Sequence, residues 1–120
     1  MGLPELNPVI HQATRLQILA TLYRNKQVSF TDLRDGLGLT PGNLASHAAK
    51  LEEAGYLRSG RVLADLSFEV NYRITDEGVS AFRAYLASLQ ELITQAGGLD
   101  VPPVEPAPPP RSDAAPDPAP

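Results

Sequence analysis

Asn43, Ser46, His47 and Lys50 lie close together in the chain, at spacings of three, one and three residues. They offer an amide, a hydroxyl, an imidazole and an ammonium, a set rich in hydrogen-bonding capacity but holding no nucleophile–base pair. Asn suits an adenine edge and small polar groups suit several bases, so Asn43, Ser46 and His47 are candidates for base contact. Lys50 suits a phosphate oxygen, which positions a partner without specifying its sequence. An ordinary solvated helix face would have the same composition. Elsewhere the chain gives an enzyme little to work with. It has no cysteine, which excludes disulfides, thiolate metal sites and cysteine nucleophiles. Its two histidines, His11 and His47, stand 36 positions apart, and neither has a carboxylate cluster at metal-ligand spacing. His11 reads as a polar capping or dimer-contact residue rather than a ligand. There is no Gly-rich phosphate loop, G-x-S-x-G elbow or H-E-x-x-H. Catalysis is not expected, and neither is a cofactor or a metal.

The helix that must carry these residues is the best marked in the sequence. Thr40 is an N-cap, Pro41 fits the first helical position, and Gly55 closes a helix over residues 40–54. Its inward stripe is Leu44, Ala48 and Leu51. Upstream, Asn7 and Pro8 read as the start of a helix over residues 7–25, with Ile10, Ala13, Leu16, Leu19 and Leu22 or Tyr23 at helical spacing. Residues 28–30 read as a short extended piece, and Ser29 can cap a two-turn helix over 31–37 that Gly38 stops. After Gly55 the period changes to two. Residues 56–62 are strand-like, and Leu66, Phe68, Val70, Tyr72 and Ile74 alternate with polar residues as a half-buried strand. The two strands form an antiparallel hairpin turning near Ala64 and Asp65. Thr75 then caps a helix over residues 76–96, whose leading Asp76 and Glu77 complement the helix dipole. Val79, Phe82, Leu86, Leu89 and Ile93 form a coiled-coil-like seam along it, widened by Tyr85 and Leu92. That seam is either internal core or a homodimer interface, and its length favours the interface. The fold class is mainly α with a small antiparallel β-hairpin.

The formal charge of −4 is unevenly placed. Residues 1–98 carry nine Lys/Arg against ten Asp/Glu, whereas 99–120 carry Arg111 against Asp100, Glu105, Asp113 and Asp117. A near-neutral body can still present a locally basic face. Nine of the twelve prolines follow Gly97 and Gly98, so residues 1–98 read as one domain and 99–120 as a disordered acidic tail. That tail is either a solubilising appendage or a ligand for a partner. The N-terminal MGLPELNPVI lacks the features of a secretory signal, and no apolar run approaches the roughly 18 residues of a membrane span. A cytoplasmic location and no membrane partner are expected.

The order helix, short strand, helix, helix, hairpin, long helix is the winged-helix arrangement, with a helix-turn-helix at its centre. The segments HQATRLQILATL, LTPGNLASHAAKLEEAGYL and YRITDEG resemble MarR/ArsR-like winged-helix transcriptional regulators over about residues 7–95. The resemblance implies that the helix over 40–54 enters the major groove and that the helix over 76–96 pairs two copies. Val79, Phe82, Tyr85, Leu86, Leu89 and Ile93 would then form the dimer interface. The expected function is a homodimeric, sequence-specific regulator on a pseudo-palindromic operator. Its partners would be double-stranded DNA, a second copy and a small-molecule effector that the sequence does not identify. Ser29 and Thr40 join Lys50 as phosphate contacts. Arg58, Arg61 and Arg73 either track the DNA backbone or pair with Asp65 or Glu69. The family often has a basic wing, but residues 62–69 are apolar and acidic, and the cysteine metal sites of some relatives are missing. These departures keep a second reading open, a protein-interaction module using the wing and the proline tail.

Overall fold

A computed structural model describes residues 4–64 and 66–98. The elements are α1 (Ala13–Asn25), β1 (Gln27–Ser29), α2 (Phe30–Leu37), α3 (Pro41–Glu53), β2 (Leu57–Ala64), β3 (Ser67–Ile74) and α4 (Asp76–Gln95). Three of the four helices start on the caps anticipated from sequence. Ser29 Oγ accepts from Asp32 N at 3.0 Å, Thr40 Oγ1 from Asn43 N at 3.1 Å, and Thr75 Oγ1 from Gly78 N at 2.9 Å. Each satisfies a backbone donor that the first helical turn cannot pair internally. Gly38 ends α2 in the left-handed region at φ +66°, which a side chain would disfavour.

The start of α1 differs from the expectation. Asn7 does cap, but its Oδ1 takes the N–H groups of Val9 and Ile10 in a separate turn before the helix. The helix proper begins at Ala13, where Gln12 Oε1 accepts from Arg15 N at 2.8 Å. Ile10 is fully buried, so this leading segment belongs to the core.

The sheet also exceeds the expected hairpin. β3 pairs antiparallel with β2 through the register Leu57↔Ile74 to Ala64↔Ser67, and on its other edge with β1, Val28 opposite Tyr72. The order is therefore β1-β3-β2. Leu57, Tyr72 and partly buried Val28 and Ile74 meet Leu19, Leu22, Leu33, Leu44, Leu51 and Phe82 in one core. Burial on β3 stops halfway along the strand. Tyr72 is buried, but Val70 and Phe68 are exposed, Phe68 at 63%, and Leu66 is 100% exposed. The alternation is real, yet in its distal half nothing in the described chain covers the apolar side. The turn expected at Ala64 and Asp65 includes Asp65, which lies outside the described residues, as do residues 99–120. No helix among the described residues is long and apolar enough to cross a membrane.

Candidate nucleic-acid interface

α3 is anchored by Leu44, Ala48 and Leu51, all buried. Its outward side exposes Gly42, Asn43, Ala45, Ser46, Ala49 and Lys50. Asn43, Ser46 and Lys50 therefore stand where the sequence reading put them. Gly42, Ala45 and Ala49 were missed, although their spacing among the polar residues could have revealed them. Small residues let a helix backbone approach a surface closely, and an alanine methyl can meet the C5-methyl of thymine.

His47 is not a free member of this face. It is half-buried, and its Nδ1 lies 3.2 Å from Arg15 Nη1. Burial first, then the charges of Arg15 and Lys50, hold its pKa below the usual imidazole value. Arg15 is a further residue the sequence reading missed. It sits 32 positions away on another helix, and no local spacing connects the two. Its Nε donates to Val9 O at 2.6 Å, which ties it to the turn before α1.

The hydroxyls of Ser29 and Thr40 are engaged as caps. A hydroxyl that accepts from a backbone N–H keeps its own proton to donate, so capping and phosphate contact are compatible. Both sit at helix N-termini, where the dipole favours an anion.

The hairpin separates the three arginines. Arg58 and Arg73 are direct cross-strand partners and share one face. Arg61 lies on the opposite face with Ser59, because side chains alternate along a strand. Ser59 N and Oγ donate to the Glu52 carboxylate at 3.3–3.4 Å, so that face is the one turned toward α3. The Arg61 guanidinium stands 5.4 Å from the Phe68 ring centroid, a cation–π contact on the exposed wing. Among the described residues the one ion pair within 4.0 Å is Arg34–Asp35. The alternative pairing of Arg58, Arg61 or Arg73 with Glu69 is thus not formed, and Asp65 lies outside the described residues.

On α4 the six expected interface residues divide. Phe82 and Tyr85 are buried in the chain's own core, Phe82 with its ring centroid 4.9 Å from that of Tyr23. Tyr85 OH lies 2.9 Å from His11 Nδ1, so the His11 ring bonds to the body of the same chain and caps no helix. Leu86 is 42% exposed, and Val79, Leu89 and Ile93 are half-buried, as is Leu92. An open cleft of about 750 Å³ lies between the leading turn and α4, lined by Asn7, Tyr56, Ala81, Ala84, Tyr85 and Ser88 among others.

A buried-backed polar helix beside a two-stranded wing, with a capped helix before it and a long helix after it, defines a winged helix-turn-helix. Residues 14–93 match the family described as winged helix DNA-binding domain, and the chain belongs to that family. It is 32% identical over 84 residues to an uncharacterized protein of Methanocaldococcus jannaschii, covering 70% of this chain and 91% of that one. Among solved structures it is similar to a transcriptional regulator homologue from Pyrococcus horikoshii OT3. That match has 32% identity and a TM-score of 0.70, and covers 79% of this chain and 91% of the other. A further likeness is to AntR, an antimony-specific transcriptional repressor, at 28% identity and TM-score 0.56, with 75% of each chain covered. The two solved structures are a transcriptional regulator homologue and a transcriptional repressor, in keeping with the resemblance to MarR/ArsR-like winged-helix regulators.

Proposed function

We propose that the chain is a homodimeric, sequence-specific DNA-binding transcriptional regulator with no catalytic activity. One observation carries the reading: α3 is fixed to the body by three buried apolar residues and offers a small, polar, unencumbered outward side. A helix built this way can lie in a major groove about 12 Å wide without losing its own packing. Asn43 and Ser46 are assigned to base edges, with Ala45 and Ala49 against them. Lys50, Thr40 and Ser29 are assigned to phosphates. Of the wing arginines, Arg61 is assigned to the DNA backbone, because it shares the α3 side of the sheet. Arg58 and Arg73 face away from that side.

The second copy is assigned to the distal half of α4, where Leu86, Leu92 and Ile93 form an apolar stripe outside the chain's own core, next to Leu89, which packs against that core. Two such dimer-related α3 helices would meet half-sites about one helical turn, roughly 34–36 Å, apart. The cleft between the leading turn and α4 is the seat assigned to a small-molecule effector, since it touches both the pairing helix and Tyr56, in the turn that leads into β2. The rival reading, a protein-interaction module, has the exposed apolar wing in its favour. Family membership and the regulator relatives favour DNA.

The test is selection of bound duplexes from a random pool, using the full chain and its Asn43→Ala and Ser46→Ala variants. The wild-type chain should enrich a pseudo-palindrome, and each substitution should relax preference at its own base pair. Failure to enrich any sequence, or variants with an unchanged preference, would remove the assignment of the reading face.

A further inference from the structure

We infer that Arg15 is a positioning residue that fixes the tautomer of His47, making the imidazole a hydrogen-bond donor toward the major groove. The inference rests on the DNA-reading role proposed above and adds the rule by which one side chain on α3 reads a base.

The argument starts from donor and acceptor capacity. A guanidinium carries five N–H groups and no acceptor. Its Nη1 lies 3.2 Å from His47 Nδ1, so the imidazole nitrogen must be the acceptor in that contact. A neutral imidazole has a single ring proton, which then sits on Nε2. The doubly protonated ring would lose the bond from Arg15 and place a third cation beside Arg15 and Lys50. The downward displacement of the His47 pKa by burial, Arg15 and Lys50 agrees with a ring kept neutral.

Arg15 can dictate the tautomer because it is itself held. Its Nε donates to Val9 O at 2.6 Å, and its backbone N–H is taken by Gln12 Oε1 at 2.8 Å. Val9 N in turn donates to Asn7 Oδ1 at 2.9 Å, and Val9 packs against the core. A relay therefore runs from the turn before α1 through Arg15 to the reading helix. An Nε2–H donor pairs with acceptors on base edges in the major groove, N7 or O6 of guanine, N7 of adenine or O4 of thymine, and is mismatched where the amino group of cytosine N4 or adenine N6 faces it.

The test has two arms on the full chain. In the first, ¹⁵N-labelled imidazole resonances are recorded without DNA, with His47→Gln identifying the His47 signals. The wild-type ring should show a protonated Nε2 and an unprotonated Nδ1. Arg15→Met keeps the aliphatic stem, removes the donors and should give a mixture of tautomers. If that variant does not fold, Arg15→Leu, which likewise carries no side-chain donor, should give the same mixture. A wild-type Nδ1–H ring, or an unchanged tautomer in a folded Arg15 variant, overturns the inference.

In the second arm, duplexes are selected with wild-type, Arg15→Met and His47→Ala chains. Both variants should relax the same base pair, by about tenfold in discrimination, and leave the positions read by Asn43 and Ser46 intact. Relaxation by His47→Ala alone overturns the role of Arg15. A wild-type chain that binds no duplex at low salt removes the DNA reading, while the free-protein spectra still decide the tautomer.

Discussion

Gly78 offers the sharpest stability prediction, because it is where α4 docks on the turn after α3. A Cβ added there would enter the van der Waals envelope of the Tyr56 carbonyl oxygen and stand 2.9 Å from both the Tyr56 carbonyl carbon and Ile74 Cγ1. The obstacle is backbone, and it cannot retreat easily. Tyr56 O accepts from Thr75 N at 3.0 Å, Tyr56 N donates to Leu51 O at 2.9 Å, and Thr75 Oγ1 donates to Gly55 O at 2.6 Å. Two effects oppose each other in Gly78→Ala. Alanine gains about 1 kcal/mol of helix propensity over glycine. Overpacking against fixed neighbours costs about 1–3 kcal/mol and occasionally more, and a pinned carbonyl puts this site at the upper end. The net expectation is a loss of about 2 kcal/mol, or roughly 8–16 °C in Tm for a domain of this size. Gly36→Ala is the control. That glycine lies in α2 with nothing within 4 Å of an added Cβ, so only the propensity gain of about 0.5–1 kcal/mol remains. Urea and thermal unfolding at one fixed protein concentration would measure both, since a dimer's Tm depends on concentration. Opposite signs are expected. A Gly78→Ala chain within about 0.5 kcal/mol of wild type would refute the packing argument.

Three further outcomes follow from the same geometry. Thr40→Ala should cost about 1 kcal/mol by leaving Asn43 N without its cap, read from urea midpoints. His47 should make the native state acid-sensitive. Its folded pKa lies below the usual value of 6.5 that it regains on unfolding, so the unfolded chain binds more protons as pH falls through that value. Stability from this group is present above pH 6.5 and lost below it, and His47→Gln should lose less between about pH 7.5 and about pH 5 in denaturant titrations. Leu86→Glu combined with Ile93→Glu should shift sedimentation toward the monomer with a near-native circular dichroism spectrum, whereas Phe82→Ala, in the chain's own core, should lower stability by about 3–5 kcal/mol.

The parts of the fold that the sequence reveals are those with local chemistry. Ser29, Thr40 and Thr75 announce their helices because a capping hydroxyl acts within three residues. Gly38 announces the end of α2 because few other residues take its φ. The start of α1 is concealed because Asn7 and Pro8 carry every mark of a helix start yet serve one isolated turn, while Gln12, an uncommon cap, does the work. Its end at Asn25 matches the sequence reading, although no glycine marks it and Lys26 adopts φ 70° there. The short strand β1 was legible as an extended piece over residues 28–30, but its pairing with β3 was not, because that contact is non-local. Exposure of the distal wing is equally hidden, since alternation has the same period whether or not the apolar side is covered. At the candidate site, Asn43, Ser46 and Lys50 were legible from helical spacing. The engagement of His47 by Arg15 was not, because it depends on how α1 and α3 pack.

The most direct test of the central claim is the salt dependence of duplex affinity for the full chain and for Lys50→Ala, measured by fluorescence polarisation on a selected site. A groove-reading helix flanked by phosphate contacts predicts that log K falls linearly with log salt. Lys50→Ala should lower that slope by about one counterion per protomer, with sequence preference retained. A flat response to salt, or a slope unaltered in Lys50→Ala, would contradict the placement of α3 on DNA.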